Sequence, residues 1–298
     1  MKNINKQLQG ILWMLVHCCM ITLIVAFARQ LSDKFGVFQI MFSYCFVAFI
    51  FMAIWLFIKK HKLKINYKTK WMYAFRAFLG LVAMGIFFTA LKEMSYVKAN
   101  AITLACPLVT TTMAALFLKE KMGVHRIFAL IIGFCGALVV VRPGIIEVSP
   151  AVFLVVVSIL IWGVCDILIK IMSKDDTFSQ VFVMTMVTTA ICFPIALYHW
   201  VAPDLYDILV FVIMGALFTI NMVSLVLSFR NGDVSVIMPF TFSVVLFSAF
   251  WGYLMFGEVV DFWTIVGSLI IVASSTYIAY REKKANIKHP VDPESLHV

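Results

Sequence analysis

The sequence predicts an all-α integral membrane protein: ten transmembrane helices folded as two inverted five-helix repeats. Three observations predict it. Of 298 residues, 63% are hydrophobic and only 13% are charged, against about a quarter charged in soluble domains. Apolar runs recur between short charged or turn-forming clusters, each near the roughly 20 residues of helix that cross a hydrocarbon core of about 30 Å. The second half also echoes the first.

The runs, in order, are 10–28, 36–58, 72–91, 99–118, 124–141, 150–169, 179–199, 207–229, 236–256 and 262–280. The first is followed by no small-residue cleavage site and by many more like it, so it is expected to remain as a helix and not to be removed as a leader. The fourth opens the stretch from Ala99 to Lys121. Pro107 within it removes a backbone hydrogen bond and bends the helix, and Thr110, Thr111 and Thr112, one turn on, are expected to satisfy the freed carbonyl. The stretch ends at Glu120, between Lys119 and Lys121. The ninth run repeats this plan, starting near Pro239 and ending on Glu258. No connection is long enough to hold a soluble domain.

The echo can be put in register. Sliding the chain by 138 residues lays Lys92 on Arg230, Thr103 on Thr241, Glu120 on Glu258 and Gly136 on Ser274; a slide of 141 lays Arg29 on Lys170, Ser32 on Ser173 and Gln39 on Gln180. Both divide the chain near residue 145, giving a first repeat over 1–145, a second over 146–282 and a tail over 283–298. Five is odd, so the second repeat enters the membrane upside down relative to the first. That architecture is common to many secondary transporters, with the substrate site near the midplane between the halves.

Counting Lys and Arg in alternate connections gives 18 on one side and five on the other. By the positive-inside bias both termini are cytoplasmic, which requires an even number of spans. The same bias accounts for the net charge of +9 without nucleic acid as a partner. The seven cysteines, Cys18, Cys19, Cys45, Cys106, Cys135, Cys165 and Cys192, all fall in apolar runs at no metal-like spacing and read as packing residues.

Three stretches carry a family resemblance: Pro107 to Glu120, GFCGALVVVRPG from Gly133 to Gly144, and FGE at Phe256 to Glu258. The chain resembles the drug/metabolite transporter superfamily in its EamA-domain branch, over nearly its whole length. Within that branch FRAFLGLVAMG (Phe75 to Gly85), ACPLVTTTMAALFLKE (Ala105 to Glu120) and CDILIK (Cys165 to Lys170) are similar to bacterial S-adenosylmethionine uptake carriers. The resemblance implies a multi-pass inner-membrane carrier of a small molecule, S-adenosylmethionine uptake or exchange among its candidates. One departure is Tyr44, after FQIMFS, where relatives often carry an arginine.

Charged side chains inside a span cost about 2.5–3.5 kcal/mol on insertion scales, which makes each a candidate site residue. Arg76 either snorkels to the interface or forks a substrate carboxylate or phosphate. Asp166 either pairs with Lys170, four residues on, or faces Arg76 across the halves and binds a cationic group. A zwitterionic substrate needs both signs, so Arg76 and Asp166 form the favoured pair. His17 either titrates during transport or packs with a hydrogen bond to a neighbour. Tyr44 and Trp162, with Trp13 and Trp251, are suited to stack on a purine or cradle a cation; Trp13 also suits an interfacial anchor. Asn100, Thr103 and Asn221 suit interhelical hydrogen bonding or substrate contact. Glu120 and Glu258 sit at helix ends beside water, where tying a helix end to the adjoining segment fits better than carrying an ion. Gly133, Gly136 and Gly267 fit close helix packing; no strand precedes them, so no nucleotide loop is read there.

No ATP-coupling motif exists, so a transporter here works by exchange, facilitated flow or an ion gradient, with no cofactor and no metal. Export of amino acids, related metabolites or drugs is the alternative cargo reading. A membrane enzyme would show clustered metal ligands or a nucleophile–base pair within the spans, whereas the six histidines are scattered. A non-transporting scaffold leaves the prolines and intramembrane charges without purpose. The unit is expected to be a monomer or homodimer in the lipid bilayer.

Overall fold

The computed structural model describes residues 2–64, 70–106, 108–110, 113, 124–141, 149–172, 175–231 and 237–288. Pro107, Thr111, Thr112 and Glu120 lie outside the described residues. Among those described, ten α-helices form: α1 Lys2–Leu31, α2 Val37–Ile58, α3 Lys70–Ala90, α4 Tyr96–Thr103, α5 Val124–Val141, α6 Ala151–Ile171, α7 Thr177–Tyr198, α8 Leu205–Asn231, α9 Ser243–Phe256 and α10 Phe262–Lys288. Six are long and apolar enough to cross a membrane: Leu8–Leu31 within α1, and α2, α3, α6, α7 and α8. Phe240–Phe256 and Phe262–Ser274 are shorter apolar helical stretches.

The helices follow the apolar runs most closely where turn-formers flank them. Gly36 stands in an extended conformation before α2. Asp176 caps α7, its carboxylate accepting from the backbone N–H and the hydroxyl of Ser179 at 2.9 and 2.7 Å. Two boundaries need correction: α1 begins at Lys2 and not near residue 10, and α10 runs to Lys288 and not 280. Lys, Gln and Ala are strong helix formers, so a helix propagates past the point where its apolar stretch stops.

The expected ninth helix, 236–256, is also divided. Met238–Phe242 is a 3-10 helix with Pro239 in its first turn, and α9 starts only at Ser243. Proline has no N–H to give to the α-helical ladder, and the tighter i→i+3 pattern absorbs the loss. A similar tightening ends α4, where the N–H groups of Leu104 and Ala105 bond the carbonyls of Ala101 and Ile102 at 3.3 and 3.0 Å.

Packing joins the first five helices to the last five. α1 lies on α8 and α9, α2 on α7 and α8, α3 on α6 and α7, α4 on α9, and α5 on α10. The core between them holds Tyr44, Tyr96, Phe35 and Phe87 fully buried, and the Tyr96 hydroxyl donates to the Thr22 carbonyl at 2.6 Å. Large apolar side chains such as Phe57, Leu205, Leu246 and Phe153 point outward, as a helix bundle embedded in lipid requires.

Polar ties close each end of the bundle. At one end Arg29 meets Glu258 at 2.7 Å, Lys34 meets Asp204 at 2.9 Å and also Asp207, and the Val201 N–H donates to Gln39 at 3.1 Å. At the other, Tyr73 donates to Asp175 at 2.5 Å, His61 lies 3.5 Å from Asp176, and the Lys64 N–H donates to Ser179 at 2.9 Å.

Candidate functional site

Between these ends lies a cavity of about 210 Å³. α1 brings His17 to its wall, α2 Tyr44, α3 Arg76, α4 Asn100 and Thr103, and α6 Trp162 and Asp166. Seven of the eight substrate-contact candidates therefore meet in one chamber. The eighth, Asn221 of α8, is fully buried behind the wall against His17. Trp13 and Trp251 do not line it.

Arg76 is 5% exposed, so the snorkelling alternative does not describe it. Its Nη1 donates to the thioether sulfur of Met184, on α7, at 3.1 Å, and its Nε has no partner. No carboxylate among the described residues comes within ion-pair distance of it. Asp166, on the helix packed against α3, does not pair with Lys170 either; its Oδ2 accepts from the Thr110 hydroxyl at 3.1 Å. A hydroxyl has one proton to donate, and that of Thr110 goes to Asp166. The two opposite charges thus line the cavity without pairing, each held among the described residues by a neutral neighbour, where charge withdrawn from water is costly unless paired.

The remaining polar groups are quieter. Asn100 donates to the Tyr96 carbonyl at 2.9 Å and Thr103 to the Asn100 carbonyl at 2.7 Å, bonds within α4 and not between helices. The buried His17 Nδ1 and Ser224 Oγ complete no hydrogen bond. Two aromatic pairs face the chamber: Phe87 with Trp162, ring centres 5.2 Å apart, and Tyr44 with Phe218 at 5.0 Å. Met14, Met41, Met84 and Met222 fill the wall between them, flexible polarisable side chains that adapt to a guest's shape.

Glu258 lies away from the chamber. Its carboxylate accepts from the Ser95 hydroxyl at 2.6 Å and from the N–H groups of Tyr96 and Val97 at 3.2 and 3.0 Å, and pairs with Arg29. It thereby caps the N-terminus of α4, where a helix presents unpaired N–H groups and its positive pole. The turn that delivers it needs Gly257, whose φ of +64° is left-handed. Gly252 lets α9 approach α4: a Cβ there would stand 2.6 Å from Val97 Cγ2. Pro239 acts as described above, opening the 3-10 turn.

Sequence reasoning missed Met184 and the target of Thr110. A buried arginine's partner is signalled in sequence when it is a carboxylate at i±4, and a thioether on another helix leaves no such mark.

The EamA-like transporter family matches this chain over residues 8–142 and 149–280. An S-adenosylmethionine uptake transporter of Rickettsia prowazekii is 22% identical, covering 95% of this chain and 96% of the relative. A riboflavin transporter of Vibrio cholerae is 25% identical over 94% and 96%, and a pseudopaline exporter of Pseudomonas aeruginosa 22% over 70% and 74%. A solved crystal structure shares the fold with a TM-score of 0.69, at 14% identity, over 94% of this chain and 98% of its own.

Proposed function

Because this chain belongs to the EamA-like transporter family, we propose that it is a secondary carrier of a small zwitterionic metabolite, working by alternating access between two inverted five-helix repeats. One observation carries the cargo class: Arg76, buried, and Asp166, half-buried, line one cavity without pairing with each other, and among the described residues each is held by a neutral neighbour. A substrate bringing a carboxylate to the guanidinium and a cationic group to the carboxylate supplies what each lacks. The Phe87–Trp162 and Tyr44–Phe218 pairs both line the cavity and offer ring faces on which a flat ring can stack. S-adenosylmethionine, named for several relatives, has all three parts, and uptake or exchange of it is the cargo we assign.

The repeat reading draws support from the cavity wall. Gly80 and Phe218, Met84 and Met222, Phe87 and Leu225, Thr103 and Thr241, Cys106 and Val244 all line it, each pair 138 residues apart; Ile21 with Trp162 and Val25 with Asp166 do so 141 apart. Exchanging the first five helices for the last five also turns the α1–α8 contact into α6–α3, α2–α8 into α7–α3, and α1–α9 into α6–α4, all of which occur. Ten spans with both ends in the cytoplasm complete the arrangement we propose.

Counterflow decides it. Proteoliposomes preloaded with unlabelled S-adenosylmethionine should accumulate labelled compound faster than empty ones. Uptake that no preloading alters rejects exchange, and no uptake at all rejects the cargo. The pseudopaline exporter among the relatives favours outward transport of an amino-acid-derived metabolite as the second reading, which efflux from the same vesicles tests.

A further inference from the structure

Arg76 presents a guanidinium with five N–H donors, made to grip oxygen acceptors in pairs. Its hydrogen bond goes to a thioether, among the weakest acceptors a side chain offers. Met184 comes from α7 across the α3–α7 contact and itself lines the chamber. Its methyl packs beside Gly80, one turn along α3 from Arg76, at 3.7 Å from where a Cβ would stand, an ordinary contact. Methionine is unbranched with three rotatable bonds, so it leaves such a contact at little cost.

We propose that Met184 is a displaceable stand-in for the substrate's carboxylate. Its sulfur holds the Arg76 fork in the empty carrier and surrenders it to the arriving oxyanion, so residue 184 sets affinity for anionic cargo without contacting the rest of the molecule. This rests on Arg76 being the anion fork. It also gives α7 a reason to respond to occupancy, since the side chain that must move belongs to that helix and the arginine to α3.

Two substitutions separate this from plain packing. Met184→Leu conserves volume and removes the acceptor, and Met184→Gln conserves length and installs a stronger one. Binding is measured on purified carrier in nanodiscs, with S-adenosylmethionine and its decarboxylated analogue as probes. The Leu variant should bind S-adenosylmethionine about three- to tenfold more tightly, and the Gln variant weaker by about the same factor, the size of one net hydrogen bond. The decarboxylated analogue should bind all three forms alike. Shifts of the same sign in both variants, or equal shifts for both probes, overturn the proposal. Without ligand, melting should rank Gln above wild type above Leu, and the ranking should collapse in an Arg76→Leu background; a ranking that persists there overturns it too. If wild type binds neither probe, the cargo assignment alone falls. The melting order then still decides whether the thioether is what holds the guanidinium.

Discussion

Glu258 and Asp166 are both carboxylates of the chain's second half, and their surroundings differ in one respect. Glu258 receives a hydroxyl, two backbone N–H groups and a guanidinium from helices α1 and α4 and the turn before α4. Asp166 receives, among the described residues, one hydroxyl. A buried polar network that is fully satisfied stiffens the fold around it, whereas a charge left short of partners has kept its capacity for something that arrives later. The same contrast separates the two arginines: Arg29 has its carboxylate and packs its guanidinium 4.9 Å over the Phe256 ring, and Arg76 has a thioether. Glu258 and Arg29 accordingly tie the architecture together, and Asp166 and Arg76 are the pair we propose for the guest.

The contrast predicts opposite failures. Arg76→Ala should cut affinity for a carboxylate-bearing substrate at least about thirtyfold, the low end of the 2–5 kcal/mol that truncating a buried charge partner costs. Its yield and melting temperature without ligand should stay near wild type, because no native ion pair is lost. Isothermal titration beside a thermal melt reads both; normal affinity, or collapse of the fold, refutes the assignment. Glu258→Ala should do the reverse. It strips the cap from α4 and leaves Arg29 half-buried and alone, a loss of about 2–4 kcal/mol, while substrate affinity in the surviving protein is unchanged. Glu258→Gln keeps an acceptor for the α4 N–H groups and should recover about half of that.

A third substitution sharpens the architectural side alone. Gly257→Ala meets nothing within 4 Å, so its cost is purely conformational, about 1 kcal/mol for an L residue held left-handed. Gly257→Asn, which tolerates that conformation better, should cost less. Equal loss in both means that the turn owes its shape to contacts and not to the backbone.

The sequence already contained the architectural half of this contrast. Glu258 announced itself through its register with Glu120, Pro239 through what proline does to a helix ladder, and the long helices through the length of their apolar runs. The guest-facing half was only half visible. Arg76 and Asp166 stood out as charges where charges are expensive, but their neighbours did not. Helices that are apolar on every side carry little signal of which face turns inward, so the rotation that aims Met184 at Arg76, and Thr110 at Asp166, is decided by packing between distant segments. For the same reason Asn100 and Thr103, expected to bond across helices, bond along their own.

Asp204 provides the smallest test of whether burial or pairing decides a carboxylate's worth. It meets Lys34 at 2.9 Å, against 2.7 Å for Glu258 with Arg29, but in the open, between α7 and α8. Hydrogen bonding from the Lys34 ammonium, then from the Asp207 N–H, brings its carboxyl down from 3.8 to about 2. A carboxyl with a lowered pKa in the folded state stabilises it fully above its unfolded value, and that gain drains away as pH falls from about 4 towards about 2. Water screens an exposed pair, so Asp204→Asn should lower the melting temperature at pH 7 by no more than about a degree or two. The gap to wild type should narrow as the buffer is taken below pH 4. A loss as large as that of Glu258→Ala would mean that the ion pair itself, and not its burial, is what holds that end of the bundle shut.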